Sequence, residues 1–155
     1  MHSLYCALPL VDGPFLLLES DLIYEQRALT VLLNGSPEAI LLAGPSNAGD
    51  EVWVVTENSH LRNMSKDTDA LGAEPSGEMV GISRISSELS RALREYAEQE
   101  PYQEKLVMDY ETGTLVHAGR HMPICCPIVP DLIWAEIDDA AHLEHARSTI
   151  YPKLV

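Results

Sequence analysis

Basic residues are scarce in this chain. Ten Lys and Arg stand against 24 Asp and Glu, giving a formal net charge of -14 over 155 residues. That shortage excludes a nucleic-acid-binding face, because neutralising a phosphate backbone takes clustered Lys and Arg. A small phosphorylated ligand remains open, since it needs one or two cations or a metal ion. An acidic pocket would favour a cationic substrate or a divalent metal, while most of the acids serve solubility. Cysteine is also sparse: Cys6, Cys125 and Cys126. An odd number with one vicinal pair makes neither a disulfide framework nor a zinc spacing, so the thiols are expected reduced and packed, in a cytoplasmic protein. No apolar run approaches a membrane span, and no basic segment followed by a long apolar stretch opens the chain. There is no internal repeat. The loop Gly44-Pro45-Ser46-Asn47 lacks the glycine and lysine spacing of a phosphate-binding P-loop. No Ser-His-Asp or Cys-His arrangement can be argued from spacing.

What is present is apolar content of 46%, enough for one domain with a real core. Residues 3–10 carry apolar side chains at a helical spacing, cut short by Pro9. Phe15-Leu16-Leu17-Leu18 reads as a strand buried on both faces, as in a parallel sheet. Residues 24–33 put Leu29, Leu32 and Leu33 on one helical face, ended by Asn34-Gly35-Ser36-Pro37. Strands are expected at 39–43, 52–56, 79–82 and 133–137, an adjacent strand or a turn at 61–64, and short extended pieces at 114–117 and 123–128. The polar stretch 67–78 reads as a loop or flap. Ser86 or Ser87 caps the clearest helix, which places Leu89, Ala92, Leu93 and Tyr96 on its apolar face and stops before Pro101. Asp138 or Asp139 caps a last helix over 140–149, ended by Pro152. Strands alternating with helices predict an α/β fold with a mixed, mainly parallel sheet.

Chemistry is expected at the strand ends. Asp21 follows the first strand, and Asp138 follows Trp134-Ala135-Glu136-Ile137. Two carboxylates at two strand ends suit Mg²⁺, which takes one or two carboxylates plus phosphates and water; capping of the following turns is the other use for each. Lys66 precedes a polar loop and suits a phosphate, or is simply solvated. Arg84 has the same two uses. Gly81 inside a strand lets a ligand or backbone approach closely, or marks a bulge. Tyr110, Glu111, Trp134 and Glu136 suit an aromatic and acidic cage for an amine, or separate places in the core. His142 and His145 are three apart on a helix, where a solvated face is the simpler role.

Four segments together resemble a known pattern: Leu16-Leu17-Leu18-Glu19-Ser20-Asp21-Leu22-Ile23-Tyr24, Ser65-Lys66, Gly77-Glu78-Met79-Val80-Gly81-Ile82-Ser83 and Trp134-Ala135-Glu136-Ile137-Asp138-Asp139. In order and spacing they resemble the MobA-like nucleotidyltransferases related to phosphocholine and 2-aminoethylphosphonate cytidylyltransferases. The resemblance implies a Rossmann-like nucleotide-diphospho-sugar transferase fold. It implies CMP transfer from CTP to a small phosphorylated or phosphonylated amino alcohol, with Mg²⁺ as cofactor. By it Asp21 and Asp138 are metal ligands and, with Lys66, catalytic; Glu78, Tyr110, Glu111, Trp134 and Glu136 bind substrate. The family opens with a strand and a Gly-rich loop bearing Arg and Lys, which hold the triphosphate, and no segment here matches it. The expectation is therefore a single domain over 1–155, the C-terminal portion of a nucleotidyltransferase domain, N-terminally truncated. It would be completed by the missing segment, a separate chain or a homo-oligomer. A non-catalytic binding or regulatory remnant and a sugar-1-phosphate nucleotidyltransferase fragment are the alternatives.

Overall fold

Apolar side chains on alternate residues of two central strands divide the interior into two cores. The computed structural model describes residues 1–99 and 102–155. Strand β3 (Ala39–Ala43) is buried along its whole length. Ile40 and Leu42 point into one core, with Val54, Leu89, Leu93 and Leu115. Ala39, Leu41 and Ala43 point into the other, with Ala28, Leu32, Val80 and Trp134. This two-sided burial is why the strand reads as a continuous apolar run. Each fully buried Leu or Ile contributes about 1.5–3 kcal/mol of transfer free energy.

The remaining elements assemble around β3. Helix α1 (His2–Ala7) and a 3₁₀ turn (Leu8–Leu10) lead to β1 (Phe15–Leu18) and β2 (Leu22–Tyr24). Then come α2 (Arg27–Asn34), β3, the hairpin β4 (Trp53–Glu57) and β5 (His60–Ser65), and the long strand β6 (Gly77–Ile85). Helices α3 (Ser87–Gln99) and α4 (Tyr102–Val107) follow, then a π-helical turn (Tyr110–Leu115) running into α5 (Val116–Gly119). Strands β7 (Ile128–Val129) and β8 (Trp134–Glu136) precede α6 (Ala140–His145), a second π turn (Ala146–Ile150) and α7 (Tyr151–Leu154). Among the described residues, β5-β4-β6-β3-β7 form one sheet, β1 joins it along β6, and β2 pairs with β8 as a separate ribbon.

The fold is mixed α/β, as the sequence leads one to expect. The strand directions differ in detail: β3 and β7 run parallel, whereas the other described ladders are antiparallel. Residues 53–65 are joined by a tight hairpin, which forces antiparallel pairing. Strand β1 is half-buried, not covered on both faces, and Leu18 is exposed. Tyr24 belongs to a strand that pairs with Trp134 instead of opening a helix. Residues 114–117 are helical, not extended, because Leu115, Val116 and Ala118 bury against β5 and the tertiary packing overrides β-branched preference. Pro152 sits in the first turn of α7, where its missing N–H costs nothing, so it does not end the helix. Asp139 is the cap of α6, accepting from Ala141 and His142 N–H at 2.8 Å each. The stop expected before Pro101 lies outside the described residues. No described helix is long and apolar enough to cross a membrane.

Candidate functional site

The β2–β8 ribbon brings the two expected metal ligands to one end of a ladder. Leu22 pairs with Glu136 and Tyr24 with Trp134. Ile137 N–H extends the ladder by donating to Asp21 O at 2.9 Å. Because the pairing is antiparallel, the residue before β2 and the residues after β8 lie at the same end. Asp21 thus meets Glu136 and Asp138 by a route other than the expected parallel strand ends. The opposite end is closed by Glu25: its N–H donates to Ile133 O at 3.0 Å, and its carboxylate accepts from Ile133 N–H at 3.0 Å.

Five carboxylates converge there. Oxygens of Glu19, Asp21 and Glu136 lie within 4.8 Å of one another, as do those of Asp50, Glu136 and Asp138. Glu136 is common to both groups. Its carboxyl is pushed up to about 7, first by burial and then by Asp138, Glu19, Asp50 and Asp21. The Asp138 carboxyl is raised by desolvation and by sharing a hydrogen bond with Asp50. His142 Nδ1 stands 3.6 Å from Asp138 Oδ2. Asp21 Oδ1 is buried with no hydrogen-bond partner among the described residues. A buried oxygen left unpaired beside other carboxylates is costly unless something positive meets it. The donors are nearly all hard oxygens, the set that suits Mg²⁺ or Ca²⁺. These residues therefore fit a divalent cation.

Glu19 links this cluster to a second one. Tyr110 hydroxyl donates to Glu19 Oε1 at 2.6 Å. Burial raises the Tyr110 phenol, and Glu19 raises it further. Glu111 is 8% exposed; its carboxyl is pushed up to about 9, by burial first and then by the hydrogen bond to Glu19, with Lys66 pulling the other way. Lys66 thus faces Glu111 electrostatically while remaining exposed itself. Gly81 completes the arrangement. It sits at a φ of +75°, where the β3–β6 register shifts, and an added Cβ would collide with the Glu19 carboxylate. The expected bulge is present at Gly81, while the group that approaches it closely is the Glu19 side chain, not a ligand or backbone.

Trp134 and Glu136 face a cleft of about 380 Å³, walled by the 44–48 loop on one side and by His142 and His145 on the other. Tyr110 and Glu111 line none of it, so the expected four-residue cage is two pairs, with Glu19 between them. Both carboxylate oxygens of Glu78 are taken by Ser46, beneath the same loop. Arg84 has a third use: Nη1 donates to the carbonyls of Leu32, Leu33 and Gly35 at 3.0–3.1 Å and caps the end of α2. Glu19 stood out in the sequence only as the second acid beside Asp21 at the end of the first strand, with no role assigned to it, and Asp50 did not stand out at all. Glu19 is two residues from Asp21 and carried a signal in Gly81; Asp50 lies in an exposed loop and carried none.

No protein-family profile matches the chain. Solved structures do. An inositol-1-phosphate CTP transferase from T. maritima superposes with a TM-score of 0.74 at 15% identity, over 99% of this chain and 61% of that one. A protein named as a glucose-1-phosphate thymidylyltransferase from Bacillus anthracis, in complex with sucrose, gives 0.71 at 12% identity, over 95% and 58%. The CTP:phosphocholine cytidylyltransferase from Streptococcus pneumoniae gives 0.70 at 10% identity, over 92% and 60%. The chain spans about three fifths of the length of each. It has the nucleotidyltransferase fold.

Proposed function

We propose that this chain belongs to a nucleotidyltransferase that moves CMP from CTP to a small amine-bearing phosphate or phosphonate, such as phosphocholine or 2-aminoethylphosphonate. The observation that carries it is that Asp21 and Asp138, from opposite strands, each come within reach of the shared Glu136 carboxylate at one end of the β2–β8 ribbon, in a nucleotidyltransferase fold. In this reading an acceptor oxygen attacks the α-phosphorus, a P–O bond forms, the α–β bridging bond breaks and pyrophosphate leaves. A Mg²⁺ ion held by Asp21, Asp138 and Glu136 would supply positive charge against the polyphosphate. Lys66 adds a cation near Glu111, and Trp134 with Glu136 offers an aromatic and acidic wall to an amine. The cleft of about 380 Å³ is of the size that takes a small ligand.

The test is pyrophosphate release from CTP with each acceptor and Mg²⁺. Asp21→Asn and Asp138→Asn should each lower turnover about 10²-fold or more, and Lys66→Ala by a similar factor. Turnover unchanged in both aspartate variants would overturn the assignment. One observation favours a second reading, a non-catalytic binding remnant. Against five carboxylates the described site sets Lys66 beside Glu111 and His142 beside Asp138, few positive groups for a triphosphate. Calorimetry with CTP and Mg²⁺ separates the two: micromolar binding of CTP by the chain contradicts the remnant, which is expected to release no pyrophosphate.

A further inference from the structure

Glu78 has a task that the chemistry above leaves unused. It lies in β6 and is 3% exposed. Both its oxygens are committed to one residue: Ser46 N–H donates to Oε2 at 2.6 Å, and the Ser46 hydroxyl donates to Oε1 at 2.8 Å. Ser46 Oγ in turn accepts from Ala48 N–H at 3.2 Å. A buried carboxyl with both oxygens satisfied by a single loop residue is a clamp on that loop. The loop is also wedged at its start, where a Cβ on Gly44 would come within 2.6 Å of the Pro130 carbonyl oxygen. Beyond Ser46 it is exposed and runs through two left-handed residues, Asn47 at a φ of 61° and Gly49 at 103°. It ends at Asp50, whose carboxylate oxygen lies within 4.8 Å of those of Glu136 and Asp138.

That placement runs against electrostatics. Three carboxylates this close repel, and an exposed loop relaxes away from such repulsion unless something holds it. The clamp is the hold. We propose that Glu78, acting through Ser46, is a positioning residue that sets the 44–50 loop so that Asp50 completes a cation-binding face with Glu136 and Asp138. The inference rests on the cation reading above and adds a third ligand-bearing element to it. It also gives Glu78 a role toward the metal in place of direct contact with substrate. The same loop walls the cleft facing Trp134, so the clamp sets the ligand space and the cation face together.

Mn²⁺ is the probe, titrated into the chain and followed by electron paramagnetic resonance of the free ion, with no turnover required. Asp50→Asn and Glu78→Gln should each weaken Mn²⁺ binding about tenfold, the scale of loss for groups that orient metal ligands. Because Glu78 acts only through the loop that carries Asp50, the D50N/E78Q double variant should bind no more weakly than D50N alone. A merely structural Glu78 would lower thermal stability and leave Mn²⁺ affinity where it was. Ser46→Ala keeps the carboxyl and removes one strand of the clamp; it should weaken Mn²⁺ in the same direction, and it decides the matter if E78Q does not fold. Wild-type affinity in E78Q and S46A, or losses that multiply in the double variant, would overturn the proposal while leaving the cation reading intact. No Mn²⁺ binding by the wild-type chain would overturn both.

Discussion

Gly81 concentrates several constraints in one residue. It holds a φ of +75°, sits at the β3–β6 irregularity and leaves room for the Glu19 carboxylate. An alanine there meets the left-handed backbone penalty and a carboxylate in the space its Cβ needs. Gly81→Ala should destabilise the chain by about 1–3 kcal/mol, read as a lower urea midpoint at unchanged slope. It should also disturb the Tyr110–Glu19 hydrogen bond, visible as a shift in tyrosine absorbance. A midpoint equal to that of wild type would mean that Glu19 has room to move and is not fixed by the bulge.

At the scale of the element, α3 shows how local chemistry and packing agree. Ser86 Oγ accepts from Leu89 N–H at 3.0 Å and caps the helix start. Leu89, Leu93 and Ala97 repeat at four-residue spacing and are fully buried against the sheet. Ser86→Ala should cost about 1 kcal/mol, within the usual 0.5–2 for a lost N-cap, measured as a lower thermal midpoint with the fold intact. The cap, to within one residue, and Leu89 and Leu93 of the face were legible in the sequence; the third fully buried residue is Ala97, while the expected Ala92 and Tyr96 are half-buried. The β2–β8 ribbon was not. Its strands are three residues each, too short for a period-2 pattern, and they are far apart in the chain: Leu22 pairs with Glu136 and Tyr24 with Trp134. Short local pattern and long separation leave such a pairing to the tertiary fold.

For the whole molecule, the carboxylates make stability depend on pH in a definite direction. Glu111 is pushed up to about 9 and Glu136 to about 7 by burial and by their acidic neighbours. Both lie above the ordinary glutamate value, so the folded chain holds more protons than the unfolded chain between that value and each raised one. These two groups therefore stabilise fully at low pH, and their contribution falls as pH rises, through about 7 for Glu136 and about 9 for Glu111. The thermal midpoint without metal should fall between about pH 6 and pH 9. Mg²⁺ should raise the midpoint, and by more at about pH 8 than at about pH 5.5, because the bound ion favours the charged carboxylates. A midpoint that rises across that range, or a Mg²⁺ effect independent of pH, would contradict the assignment of these groups.

The order of residues by itself determined the class of fold, the buried central strand, the amphipathic α3 with its cap, and the presence of Asp21 and of the Glu136 and Asp138 pair. These follow from side-chain chemistry and short-range spacing, which a linear chain displays directly. Only the tertiary structure decided which carboxylates meet. Antiparallel pairing of β2 with β8 carries Asp21 to Glu136, the bulge at Gly81 admits Glu19, and the Ser46–Glu78 clamp brings in Asp50. The physical reason is the same in each case: like charges are assembled against their own repulsion by backbone pairing and buried hydrogen bonds between distant segments, and no local preference records such an arrangement.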